Sequence, residues 1–167
     1  MTRPWMISAV LMSGLCGIPA LAQEASHPPM EGPVAVASAY LDAMESSDLD
    51  RAENLFSVTS SVFESGGVEG SWQDYRQHHI GPELDQIVTF VITRSDPESQ
   101  TSEDGTMSFV AWPIAYKIEL ADGRLVNSRG TVSFVLVREA EHYRIRHLHW
   151  SSRPERQSGS DDDNQGR

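Results

Sequence analysis

The second half of the chain carries four long runs that read as β-strands, 86–95, 107–120, 124–138 and 142–151. Asp122-Gly123 and Glu139-Ala140-Glu141 join the last three runs. Links that short allow antiparallel hairpins and leave no room for a parallel crossover. Residues 96–105 are polar throughout and are expected to form the loop of the first hairpin. The chain must therefore build an antiparallel sheet and find something to cover one of its faces.

The first half supplies the cover. Val34, Ala37, Tyr40, Leu41 and Met44 recur at three- and four-residue spacing, one apolar stripe of a helix ending near Ser46. Asp48 caps a second helix expected over 49–56, with Leu49, Ala52, Leu55 and Phe56 facing inward. Residues 61–69 read as a short strand broken at Gly66-Gly67. Ser71 caps a third helix from Trp72, and Pro82, which cannot donate to the preceding turn, is expected to end it. Helices followed by antiparallel strands mean an α+β fold, a curved antiparallel sheet wrapped around N-terminal helices. Pro113, inside the second long run, implies an edge or a bulge and is a candidate source of the curvature.

The ends read differently. Arg3, the apolar run 5–18 and Ala20-Leu21-Ala22 make a signal peptide over 1–22, too short to span a membrane. Residues 23–33 are a linker, 34–153 the domain, and 154–167 an acidic tail expected to be disordered. Secretion, most plainly to a bacterial periplasm, removes Cys16, the only cysteine, and with it any thiol nucleophile or thiolate metal site. No membrane insertion is expected after cleavage. The formal charge of −11 argues against nucleic acid as a partner.

The chemistry lies at the end of the last strand. In YRIRHLHWSSR, strict alternation puts Tyr143, Ile145, His147, His149 and Ser151 on one face, which would be a pocket wall. Leu148 and Trp150 then fall on the other face beside Arg144 and Arg146, where they would drive a homodimer. His79, His149 and Glu64 are the candidate catalytic residues, since an imidazole beside a carboxylate can move a proton. His147, Arg129, Tyr116, Trp112 and Ser151 are candidate ligand contacts, Arg129 either clamping a carboxylate or pairing with Glu64. His78 reads as a solvated helix residue. No high-specificity metal spacing occurs, so no metal ligands and no cofactor are assigned, although three imidazoles with one carboxylate suit a divalent ion.

Three segments, VASAYLDAMESSDLDRAENLF, VFESGGVEGSWQDYRQHHIGPEL and YRIRHLHWSSR, resemble the nuclear-transport-factor-2-like superfamily, especially its SnoaL-like branch. The resemblance implies a cone, in which a bent sheet wraps a long helix and leaves an apolar cavity at its open end. It also implies dimerisation through the outer sheet face in many members. The superfamily includes isomerases, dehydratases, cyclases, epoxide hydrolases and iota-class carbonic anhydrases. The Asp/Tyr pair of the ketosteroid isomerases has no residue-by-residue counterpart here, and the carbonic anhydrase likeness is limited to His149 with Ser151 and Ser152. The resulting expectation is a domain that binds a small, partly apolar ligand in a His/Glu-lined pocket. The alternatives are an acid–base enzyme (isomerase, dehydratase or hydratase type) using His79/His149 and Glu64, or a structural dimerisation module.

Overall fold

The computed structural model describes residues 32–155. The expected signal peptide, most of the linker and nearly all of the acidic tail lie outside them. Helix α1, Pro33–Glu45, begins with a proline at its first position, where a missing N–H costs nothing. Asp48 caps α2, Leu49–Glu53, by accepting a hydrogen bond from the Arg51 N–H at 2.9 Å. This helix is shorter than the apolar spacing suggests. Phe56 instead opens strand β1, Phe56–Glu64, because it pairs with Ile145 far along the chain. Ser65 and Gly66, both with positive φ, form the tight turn into β2, Gly67–Gly70.

Ser71 and Asp74 form a reciprocal capping box at the start of α3, Trp72–Tyr75. The helix does not end before Pro82. A five-residue π-helical turn, Arg76–Ile80, leads directly into α4, Gly81–Leu84. A proline ring clashes with the carbonyl four residues back, and the wider turn removes that carbonyl from its path. The turn closes through the Gly81 N–H to the Arg76 carbonyl.

The remaining strands are β3 (Ile87–Arg94), β4 (Glu98–Thr101), β5 (Met107–Leu120), β6 (Leu125–Glu139) and β7 (His142–Pro154). The seven strands form one sheet in the order β2-β1-β7-β6-β5-β3, with β4 also on β5. All pairs are antiparallel except β1 with β7, which no short turn connects. The segment expected as pure loop thus contributes β4, paired to the first half of β5. Pro113 causes no bulge, since β5 and β6 stay in continuous register across it. Its carbonyl accepts from the Ser95 N–H at 3.1 Å, so its donorless edge faces the gap where β3 gives way to β4.

Inside the curve, Tyr40 on α1 meets Phe56, Trp72 and Phe134 edge-on, and Phe56 stacks on Trp72 with centroids 4.4 Å apart. Arg94 of β3 ties α1 to the sheet through Asp42 (2.7 Å) and Glu45 (2.5 Å).

The strict alternation expected for the last strand fails at Arg146. Val135 pairs with His147 and Leu136 with Ile145, which leaves Arg146 as an extra residue. One inserted residue reverses every later side chain. Leu148 (0 % exposed) and Trp150 (6 %) therefore join Ile145 in the core, and His147, His149 and Ser151 face outward. A dimer interface built on Leu148 and Trp150 is excluded by their burial.

The π-helical turn also generates a prediction. A Cβ on Gly81 would stand 2.4 Å from the Arg76 carbonyl oxygen, a backbone atom that cannot swing away. Gly81→Ala is expected to lower unfolding stability by about 1–3 kcal/mol, the usual range for overpacking, measured as a reduced urea midpoint at unchanged slope.

Candidate functional site

The bulge, the π-helical turn and the β1–β2 hairpin converge on one cavity. It occupies about 70 Å³, room for a few waters. Tyr40 and Met44 of α1, Tyr75 and Ile80 of the third helical segment and Phe90, Tyr116 and Trp150 of the sheet wall it. Glu64 and Glu83 are its acidic groups, and no lysine or arginine lines it. Phe90, Tyr116 and Trp150 pack in mutually tilted pairs, with centroids 5.7–6.5 Å apart.

Glu64 ends β1 opposite Trp150, so its carboxylate enters an aromatic environment. The Tyr75 hydroxyl donates to Glu64 Oε2 at 2.5 Å. Burial holds the Glu64 carboxyl above the ordinary carboxylate range, against the pull of the Tyr75 hydrogen bond and of positive charge on His79. Burial raises Tyr75 and Tyr40 as well, keeping both phenols protonated and able to donate. The Tyr40 hydroxyl is fully buried and has no hydrogen-bond partner. That is costly, since a buried polar group without a partner sacrifices about 1–3 kcal/mol.

His79 lies at the edge of this cluster. Its Nδ1 hydrogen-bonds Glu69 Oε2 on β2 at 2.8 Å, and its Nε2 lies 3.2 Å from Glu83 and 3.8 Å from Glu64. Burial works against its charge. The Glu69 hydrogen bond and the charges of Glu83, Glu64 and Glu69 together outweigh burial and raise its pKa. His79 thus stands between the cavity carboxyls Glu64 and Glu83 and the surface, 29 % of its side chain exposed. Among the described residues, no group of three or more His, Cys, Asp or Glu is arranged to hold a metal ion.

Of the expected trio, Glu64 and His79 meet and His149 does not. The bulge at Arg146 carries His149 to the opposite sheet face. His147 shares that face, where its Nδ1 bonds the Ser61 hydroxyl at 2.8 Å and Phe63 meets its ring edge-on. Burial, with a smaller contribution from His149, lowers the His147 pKa.

Tyr116 is a cavity residue, held by a 2.8 Å hydrogen bond to Ser152. Trp112 is buried, but its indole N–H is taken by the Ser95 carbonyl at 2.5 Å and it does not line the cavity. Arg129 and Ser151 lie on the outer face, away from Glu64. His78 is solvent-exposed, as expected. Tyr40 and Tyr75 are the site residues that sequence reasoning missed. Tyr40 was absorbed into a core stripe, although Tyr75 and His79, four residues apart on a helix, share a face legible from spacing alone.

The two raised groups set a pH dependence. Glu64 and His79 each bind a proton more tightly folded than unfolded, so their own contribution to stability falls as pH rises, while His147, whose pKa is lowered, contributes in the opposite sense. The contribution of Glu64 and His79 is complete below the unfolded carboxylate value of 4.5 and is lost as pH climbs through their raised folded values, the last of it above 6.5. In denaturant titrations from pH 4 to pH 8, the stability of wild type minus that of Glu64→Gln is expected to decline as pH rises above 4.5, which isolates the Glu64 contribution.

Comparison with known proteins places this geometry. The model of a family described as a SnoaL-like domain matches residues 34–154. Among solved structures, a nuclear transport factor 2-like superfamily protein from Salmonella enterica superposes with TM-score 0.63 at 18% identity, covering 76% of this chain and 91% of that one. A Shewanella frigidimarina protein, provisionally described as a ketosteroid isomerase, gives 0.60 at 20% identity over 70% and 91% of the two chains. A Novosphingobium aromaticivorans protein, provisionally described as a scytalone dehydratase, gives 0.61 at 9% identity over 79% and 91%. At these identities the superpositions establish the fold alone. No curated protein matches the chain.

Proposed function

We propose that this chain, which belongs to the SnoaL-like domain family, binds a small, partly apolar molecule bearing an acceptor oxygen in the cavity beneath Glu64 and Tyr40. The observation that carries this reading is a cavity whose wall sets aromatic side chains beside the Glu64 carboxyl, with Tyr40 among its lining residues and the Tyr40 hydroxyl without a hydrogen-bond partner among the described residues. A ligand carbonyl or ether oxygen would satisfy it, while Phe90, Tyr116 and Trp150 would take up the apolar body. The absence of lysine and arginine from the wall disfavours an anionic ligand. In this reading the chain is exported and works outside the cytoplasm.

A second reading makes the same pocket catalytic. It is favoured by Glu64, a carboxyl of raised pKa between a tyrosine donor and an imidazole. Ionised Glu64 would take a proton from the carbon beside the ligand carbonyl, and Tyr40 would donate a hydrogen bond to the oxygen that gains charge. His79 would exchange that proton with solvent. The relatives described as an isomerase and a dehydratase are in keeping with such chemistry.

Acetone, a ketone small enough for the cavity of about 70 Å³, tests both readings in D₂O by NMR. Binding should shift cavity resonances in the wild type and in Glu64→Gln, and weaken about tenfold in Tyr40→Phe, the scale of one hydrogen bond. Tyr40→Phe should unfold no more easily than wild type, since it removes an unsatisfied group. Deuterium entry at the carbon beside the carbonyl, lost in Glu64→Gln, would identify an enzyme. Binding without exchange leaves the ligand-binding reading, and no shift in any cavity resonance sinks both.

Self-association belongs to the same proposal, on different residues from those first expected. Phe63 (39 % exposed), Phe109 (40 %) and Met107 (52 %) leave apolar surface on the outer side of the sheet. Phe109 pairs with Val135, which pairs with His147. Sedimentation at micromolar concentration is expected to show a dimer that Phe109→Glu shifts toward monomer, and a monomeric wild type would end the idea.

A further inference from the structure

The outer face of the sheet holds a second feature, at the end of β6 and β7 remote from the bulge. Arg129 pairs directly with Arg153, and Thr131 with Ser151. Directly opposed residues in an antiparallel pair point to the same side, so both arginine side chains leave the sheet on the face that carries the Thr131 and Ser151 hydroxyls. All four residues, with Pro113 and Gly130, line an open hollow of about 540 Å³. Gly130 is required there, because a Cβ would fall 2.0 Å from the Ser151 carbonyl oxygen. The two strands approach so closely at this point that only a bare backbone fits.

Like charges placed directly across a strand pair are destabilising. Neutralising carboxylates are not scarce in a chain with 24 acidic residues. Arg51, Arg76, Arg94, Arg124 and Arg138 all sit against Asp or Glu. Among the described residues, Arg129, Arg144, Arg146 and Arg153 have no such partner, and of these only Arg129 and Arg153 stand directly opposite each other across two strands. Two guanidinium side chains on one face, with hydroxyl donors beside them and no carboxylate partner among the described residues, describe a receptor for an oxyanion.

We propose that Arg129, Arg153, Thr131 and Ser151 form an oxyanion-binding site, for a carboxylate or phosphate group, distinct from the cavity under Glu64. The anion relieves the repulsion between the guanidiniums, and the hydroxyls complete its coordination. The site shares no lining residue with the inner cavity.

The test is a titration of the ¹⁵N-labelled full chain with inorganic phosphate and, separately, with succinate, at ionic strength held constant with sodium chloride. The amides of Gly130, Thr131 and Ser151 are expected to shift and saturate at millimolar anion with at least one of the two. The stronger response identifies phosphate or carboxylate as the preferred group. Arg129→Gln/Arg153→Gln should abolish saturation, and either single change should weaken it at least tenfold. Both side chains are exposed, so these variants should fold, and Arg153→Gln should raise the melting temperature at low salt by relieving the opposed charges. Shifts that grow linearly without saturating, that persist in the double variant, or that sodium chloride alone reproduces would overturn the proposal. So would an unchanged or lowered low-salt melting temperature in Arg153→Gln.

Discussion

The extra residue at Arg146 governs what each side of the sheet can do. Before it, Ile145 lies in the core; after it, Leu148 and Trp150 take the inward side and the imidazoles turn out. Burying a Leu and a Trp removes far more apolar surface from water than burying two histidines, so the bulge is repaid by the hydrophobic effect. Without it, Trp150 would turn away from the cavity side of Glu64, its neighbour on β1, and two imidazoles would need partners inside the cone. Bulges also bend strands, and this one lies where β7 must curve to bring β1 alongside.

The cavity that results is an apolar enclosure around a small polar set. Glu64 is placed there by β1, whose pairing with β7 aligns it with Trp150. Tyr75 and His79 come from the helical segment between β2 and β3, and the π-helical turn in that segment lets it continue through Pro82. Glu69 and Glu83 reach His79 from opposite sides, so one imidazole links the β1–β2 hairpin to α4 at the cavity edge. The electrostatics follow from position. Burial pushes Glu64 toward its neutral form, and the surrounding carboxylates push His79 toward its charged one. A buried carboxyl and an imidazole whose pKa values are both raised, beside one another at the cavity edge, are the kind of groups that proton movement requires.

Local pattern was enough to establish much of the fold. Tight turns at Asp122-Gly123 and Glu139-Ala140-Glu141 admit only antiparallel neighbours, and the apolar stripe through Tyr40 could only be a helix packed on the sheet. Ser71 and Asp48 are capping residues wherever such helices begin, because their short side chains reach the free N–H groups of the first turn. Glu64 and His79 were legible as partners for the same reason that the family resemblance was, since both lie in segments of marked local character.

What only the tertiary structure decided is the side each strand residue faces and the company each polar group keeps. A bulge leaves no mark in a sequence that reads as perfect alternation, because the cost of the extra residue is offset by burial of distant side chains. His149 was therefore assigned inward and Trp150 outward, the reverse of their positions. The register that sets Arg129 against Arg153 is likewise a long-range pairing that neither strand encodes alone. Tyr40 looks like any other member of its stripe until the cavity beside it leaves its hydroxyl without a partner. Periodicity reports which residues prefer to be buried; whether a buried group is satisfied depends on atoms that are remote in the chain and meet only on folding.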